Sequence, residues 1–146
     1  MMYPSIKVKT INPFAPLPTL AHAGDAGLDV QTMVSVTLNP GQRASLPTGL
    51  AFGIPDGFYG QMEPRAKLAD KYGIDVMARV VDSTHTGEVH VVIINHGQDA
   101  VEFRKGDKIA QLIIKQTFSH LPLVEVERLD ETSRGASGIL DSELRL

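Results

Sequence analysis

Short apolar runs, some alternating with polar residues and some continuous, recur along this chain, and most are closed by a turn signal. The strand-like pieces are SIKVKT, LDVQTMVSVTL, RASLPTGLAFGI, FYGQMEP, VMARVVDS, GEVHVVIIN, AVEFRK, DKIAQLIIKQTF and LVEVERL. Between them stand Asn39-Pro40-Gly41, Pro55-Asp56-Gly57, Asn95-His96-Gly97 and Lys105-Gly106-Asp107, which carry the residues that turns require. Many short strands at this spacing predict an all-β sandwich or jelly roll. Within it, residues 41–61 read as paired strands joined at the Pro-Asp-Gly turn.

One stretch has helical rather than strand spacing. In EPRAKLADKYG, Pro64 suits the first helical turn and Gly73 the position just past the end. Leu68, Ala69 and Tyr72 share one side. A helix of about two turns is marginal alone in water, so it is expected to pack on the sheets. The three prolines of INPFAPLPTL keep that segment out of a central strand and predict an edge strand or a crossing arm. From Glu131 the chain is polar and rich in Gly and Ser. The expected organisation is one β domain over residues 1–130 and a flexible C-terminal arm over 131–146.

Composition narrows the function classes. With 146 residues the chain has room for one domain with a proper core. Its formal charge of −3 and 5% aromatic content, without Trp, argue against a general nucleic-acid binder or a base-stacking platform. No apolar run approaches the roughly 20 residues that cross a bilayer, so no membrane partner is expected. The first residues lack signal-peptide character, and the absence of cysteine removes disulfides and thiolate metal sites. A cytoplasmic location is the expectation.

Four places carry candidate chemistry. Asp82 follows Val80 and Val81 at the end of an apolar run. The plain account is an acid that opens a hairpin turn completed by Thr86-Gly87. Arg65 and Lys67 sit at the start of the predicted helix, where free N–H groups and the dipole favour an anion. Gln111 interrupts an apolar strand and needs partners, either backbone groups or a ligand. In SRGASG, small residues would let backbone N–H groups approach an anion that Arg134 could clamp. The histidines do not form a metal site: His90 and His96 on one strand would lie roughly 20 Å apart. A metal could still arrive with a polyphosphate ligand.

In order and spacing, these pieces resemble the trimeric dUTPase family, over nearly the whole chain. AGDAGLDV (23–30), PRAKLA (64–69), ARVVDSTHTGEVHV (78–91), KGDKIAQLI (105–113) and RGASGILDS (134–142) are similar to that family's five motifs, the fifth only at its start. The resemblance implies a distorted jelly roll with one short helix, and hydrolysis of dUTP to dUMP and pyrophosphate. It implies Asp82 as the general base that deprotonates the attacking water. Mg2+ would be the cofactor, bridging triphosphate oxygens and held by Asp29 through bound waters. Arg65, Ala66, Lys67 and Gln111 would grip phosphates, backbone groups from Ala78 to Val80 would read uracil, and His85 would lie beneath the deoxyribose. Arg134 would bind the γ-phosphate from the arm. A homotrimer is implied, each site drawing on all three chains.

Several positions depart from the family pattern. Ala66 replaces a serine, Arg79 stands where glycine is usual, His85 replaces tyrosine, and Ile139 takes the place of the phenylalanine that caps uracil. These departures keep a second reading in view, a catalytically weak dUTPase-like nucleotide-binding or regulatory protein. A related deoxycytidine triphosphate deaminase is a third, against which the Gly-Asp-Lys-Ile-Ala-Gln run and Val-Val-Asp argue.

Overall fold

Residues 4–138 are described by the computed structural model. In chain order the elements are β1 (Lys7–Thr10), β2 (Leu28–Gln31), β3 (Val36–Leu38), β4 (Arg43–Gly53), β5 (Phe58–Glu63), α1 (Ala66–Tyr72), β6 (Ile74–Met77), β7 (Val80–Val81), β8 (Glu88–Asn95), β9 (Val101–Phe103) and β10 (Lys108–Gln116). Two antiparallel four-stranded sheets run in the orders β1-β4-β8-β6 and β2-β10-β5-β7, with β3-β9 as a separate pair. This is the predicted all-β jelly roll with one short helix.

Alternation builds the core. Along β8, Val89, Val91, Ile93 and Asn95 are buried while His90 faces out, the two-residue period of a strand with one apolar face. Leu46, Leu50 and Phe52 of β4 join the same cluster as Met62 of β5 and Ile109 and Leu112 of β10. Asn95 can be polar there because its amide is fully used. Its Nδ2 donates to the carbonyls of Leu38 and Asp99, and its Oδ1 accepts the Gly97 N–H.

Three expectations change. Residues 41–61 do not form a hairpin, since β4 pairs with β1 and β8 while β5 pairs with β10 and β7. The Pro55-Asp56-Gly57 turn, closed by Phe58 N–H to Pro55 O at 3.1 Å, carries the chain from one sheet to the other. A turn signal shows that the chain reverses, not which backbone edge the next strand joins. LVEVERL is not a strand: Leu123 is fully exposed and Leu129 is 87% exposed. Pro64 lies outside the helix, with Arg65 as the extended N-cap residue (φ −82°, ψ 132°).

Leu68 alone of the predicted apolar side is partly buried on the core, whereas Ala69 and Tyr72 are exposed. The helix is held more firmly at its C-terminus. Gly73 takes φ 71° and donates to Ala69 O, and its own carbonyl accepts the His96 N–H at 2.8 Å. The proline-rich segment is a crossing arm rather than an edge strand. Ile11 and Asn12 donate to Gly49 O, and Thr19 makes a single bridge to Asp29. No helix among the described residues is long and apolar enough to cross a membrane.

Candidate functional site

Strand register assembles the first cluster. Pairing of β2 with β10 sets Asp29 opposite Gln111, and pairing of β10 with β5 sets Gln111 opposite Glu63. The chain leaving β5 passes through Pro64 to Arg65, which is thereby delivered beside Asp29. Arg65 Nε lies 3.4 Å from Asp29 Oδ1, and Lys108 Nζ lies 3.2 Å from Oδ2. The Asp29 side chain is only 9% exposed, so these two cations offset the cost of burying its charge. Arg65 is further held by Nη1 donating to Lys108 O at 3.3 Å. Lys108 and Arg65 also line a cavity of about 390 Å³ that opens beside the helix.

Gln111 donates through Nε2 to Pro64 O at 3.1 Å, so the plain account holds for that group. It also packs on Gly27, where an added Cβ would come within 2.9 Å of Gln111 Cβ and closer still to Oε1. Only glycine leaves that room. Ala66 and Lys67 open the helix, both exposed, with no side-chain cap and no acid in the first turn. Their end of the helix therefore keeps its partial positive charge and free N–H groups.

The second cluster lies around β7. Asp82 O accepts the His85 N–H at 3.0 Å, so the acid does open a turn, but through its backbone. The carboxylate is exposed, and no described residue hydrogen-bonds it. It faces a cavity of about 540 Å³ lined also by Asp56, Tyr59, Val80 and Thr117. Before it, Ala78 adopts φ 50°, and Ala78 and Val80 are exposed. β7 is the last strand of its sheet, so its outer backbone edge is open to a hydrogen-bonding partner. His85 folds over Gly87, with Nε2 3.4 Å from Glu88 O.

Arg79 does not reach into either cavity. Nε donates to Val76 O at 2.9 Å, Nη1 to Glu63 Oε2 at 3.1 Å, and Nη2 to Asp75 Oδ1 at 2.7 Å. Its carbonyl accepts the Met62 N–H at 2.7 Å.

Asp29, Arg65 and Gln111 thus come together with Lys108, while Ala78, Val80, Asp82 and His85 gather elsewhere. β2 and β7 are opposite edges of one sheet, three inter-strand steps or roughly 14 Å apart. Arg134 joins neither group: its guanidinium bonds Ser137 O at 2.8 Å, inside its own turn. Ile139 lies outside the described residues. Lys108 was not among the residues expected from sequence. Its signal was a cation in the KGDKIAQ run, unreadable without knowing that Asp29 is buried beside it.

The donor set bears on a divalent cation. Among the described residues no three His, Asp or Glu side chains gather into a cage. Asp29 Oδ2 faces Lys108 but makes no aligned hydrogen bond, which leaves a lone pair for a metal-bound water. With two cations within 3.4 Å, direct ligation of a metal there is disfavoured. The residues fit Mg2+ held mainly by phosphate oxygens, as that ion prefers.

Comparison with known proteins follows the same lines. The family model described as dUTPase matches residues 14–143. A deoxyuridine 5'-triphosphate nucleotidohydrolase of Nocardia farcinica (strain IFM 10152) is 45% identical over 136 residues, covering 91% of this chain and 82% of that protein. Among solved structures, the Staphylococcus bacteriophage 80alpha dUTPase with dUPNHPP is similar at a TM-score of 0.87 and 23% identity, covering 96% of this chain and 99% of that one. A mutant dUTPase of phage phi11 of S. aureus, which coordinates a structural Mg(II) ion, is similar at 0.80 and 22%, covering 86% and 98%. At such identities the structural likeness speaks for the fold.

Proposed function

The chain belongs to the dUTPase family and hydrolyses dUTP, and we propose that it does so with Asp82 as the base that activates the attacking water. The observation that carries this reading is an unbonded carboxylate placed directly after an open strand edge. The exposed edge at Ala78 and Val80 can pair with the planar uracil as a neighbouring strand would. His85, one turn on, then lies beneath the deoxyribose. Held there, the nucleotide directs its triphosphate towards Asp82.

Asp82 takes a proton from water, the water oxygen forms a bond to the α-phosphorus, and pyrophosphate leaves with the electron pair of the broken P–O bond. Arg65, Lys67, the Ala66 N–H and Gln111 bind phosphate oxygens, and Lys108 adds a cation next to Arg65. Asp29 keeps both cations in place and would help hold Mg2+ through its bound waters. When bound, Mg2+ neutralises charge developing on the triphosphate. Arg134 supplies a further cation for the γ-phosphate.

A homotrimer completes the site. Asp82 lines one cavity and Arg65 another, with no lining residue in common, so one chain by itself does not bring both to the same phosphate. A second copy brings the two clusters to one nucleotide. Exposed Leu121, Leu123, Val124, Val126 and Leu129 offer apolar surface for such an assembly to cover. We place the enzyme in the cytoplasm, with no nucleic-acid partner.

The test is pyrophosphate release from dUTP, with dTTP, dCTP and UTP alongside, with and without Mg2+. Release confined to dUTP and dependent on Mg2+ is expected. Nucleotide binding without release would replace this reading with that of a binding protein.

A further inference from the structure

We propose that Arg79 is a positioning residue for nucleobase recognition, a clamp that holds the Ala78–Val80 edge against the end of β5. This rests on the reading that this edge pairs with uracil.

The edge has little of its own to hold it. β7 is two residues long and, among the described residues, pairs only with Gly60 and Gln61 of β5. Ala78, just before it, has φ 50°, a left-handed conformation that alanine adopts reluctantly. A short edge strand entered through such a corner is prone to shift, and a shift turns its N–H and C=O groups away from a base.

Arg79 counters this from both ends of the residue. Its carbonyl takes the Met62 N–H, and its guanidinium spans Val76 O at the end of β6, Asp75 and Glu63. The two carboxylates and the carbonyl sit on different sides of a rigid planar fork, a geometry that a lysine ammonium cannot reproduce. An isolated exposed ion pair contributes little, but here the guanidinium is half-buried and bonded to three groups on two strands. All three of its side-chain bonds run to β5 and β6, so it positions the peptide groups without using them as partners. Glycine, usual at this position in the family pattern, would keep the carbonyl bond to Met62 but has no side chain to make the other three.

The experiment compares wild type with Arg79→Gly, Arg79→Lys, Glu63→Gln and the Arg79→Gly/Glu63→Gln pair. It reads KM and kcat for dUTP, the Kd for dUMP by equilibrium dialysis, and the melting temperature of each variant. Arg79→Gly is expected to raise KM and the dUMP Kd together by about five- to fifty-fold, a range set by couplings within one bonded network. Its kcat should stay within about twofold of wild type, because the clamp acts on binding. Arg79→Lys should recover part of the loss, and Glu63→Gln should weaken binding without adding to Arg79→Gly. A folded Arg79→Gly with unchanged KM and dUMP Kd overturns the clamp, as does a fall in kcat at constant KM, or full additivity in the pair. If Arg79→Gly does not fold, the Lys and Gln variants decide by the same readouts. Wild type that binds dUMP but releases no pyrophosphate defeats the dUTPase reading while the dUMP affinities still decide Arg79. Wild type that fails to bind dUMP overturns both.

Discussion

At the scale of single residues, Asp82 shows how one position can satisfy two accounts. Its backbone carbonyl makes the turn to His85, and its carboxylate is left without a described partner. Asp82→Asn is therefore expected to lower kcat by about 10²–10⁴, the usual worth of a general base. The melting temperature should be unchanged, since no hydrogen bond of that side chain is lost. Pyrophosphate release together with a thermal melt checks both halves. Gly27 makes the opposite case, a residue with no chemistry of its own. A Cβ at Gly27 would force Gln111 aside, so Gly27→Ala should raise KM for dUTP by roughly tenfold, about one hydrogen bond to a charged group. Steady-state kinetics would show it, and an unchanged KM would remove Gln111 from the phosphate contacts. Asp82, Arg65 and Gln111 stand out in the sequence because each breaks or ends a clear pattern. Lys108 does not, because its meaning depends on the buried carboxylate of Asp29.

At the scale of elements, turn chemistry was read correctly and strand pairing was not. Pro55-Asp56-Gly57 does turn the chain, yet it links two sheets. LVEVERL alternates well enough for a strand but has no partner edge among the described residues. The helix is read best from its end. Gly73 has φ 71°, and a Cβ there would lie 2.6 Å from Gly97 N, a backbone atom that cannot swing away. Gly41 has φ 82° but open space around it. Gly41→Ala should cost about 1 kcal/mol, the left-handed penalty alone. Gly73→Ala should cost about 3 kcal/mol, adding the steric strain of overpacking. Thermal denaturation of the two variants separates conformation from contact, and equal losses would show that the Gly73–Gly97 approach is readily relieved.

At the scale of the whole molecule, two clusters that line separate cavities make oligomerisation a question about chemistry. Mixing two inactive variants, Asp82→Asn and Arg65→Ala, under conditions that exchange subunits should restore activity. In random trimers about a quarter of sites receive Asp82 from one chain and Arg65 from another. Sedimentation should give three times the 15.8 kDa chain mass. A trimer without restored activity would mean that each site takes both residues from the same chain.

The run of apolar and polar positions and the turn residues between them were enough to state an all-β sandwich or jelly roll with one short helix, because periodicity encodes which face of a strand is apolar. They could not state which edges pair, since backbone hydrogen bonding is the same for every residue and carries no address. Register, set by the packed core, placed Asp29 opposite Gln111 and Gln111 opposite Glu63. Packing also gave Arg79 its three partners and put β2, which carries Asp29, and β7, which ends just before Asp82, at opposite edges of one sheet. Those relations exist between side chains distant in sequence, and they appear only once the strands have taken their places.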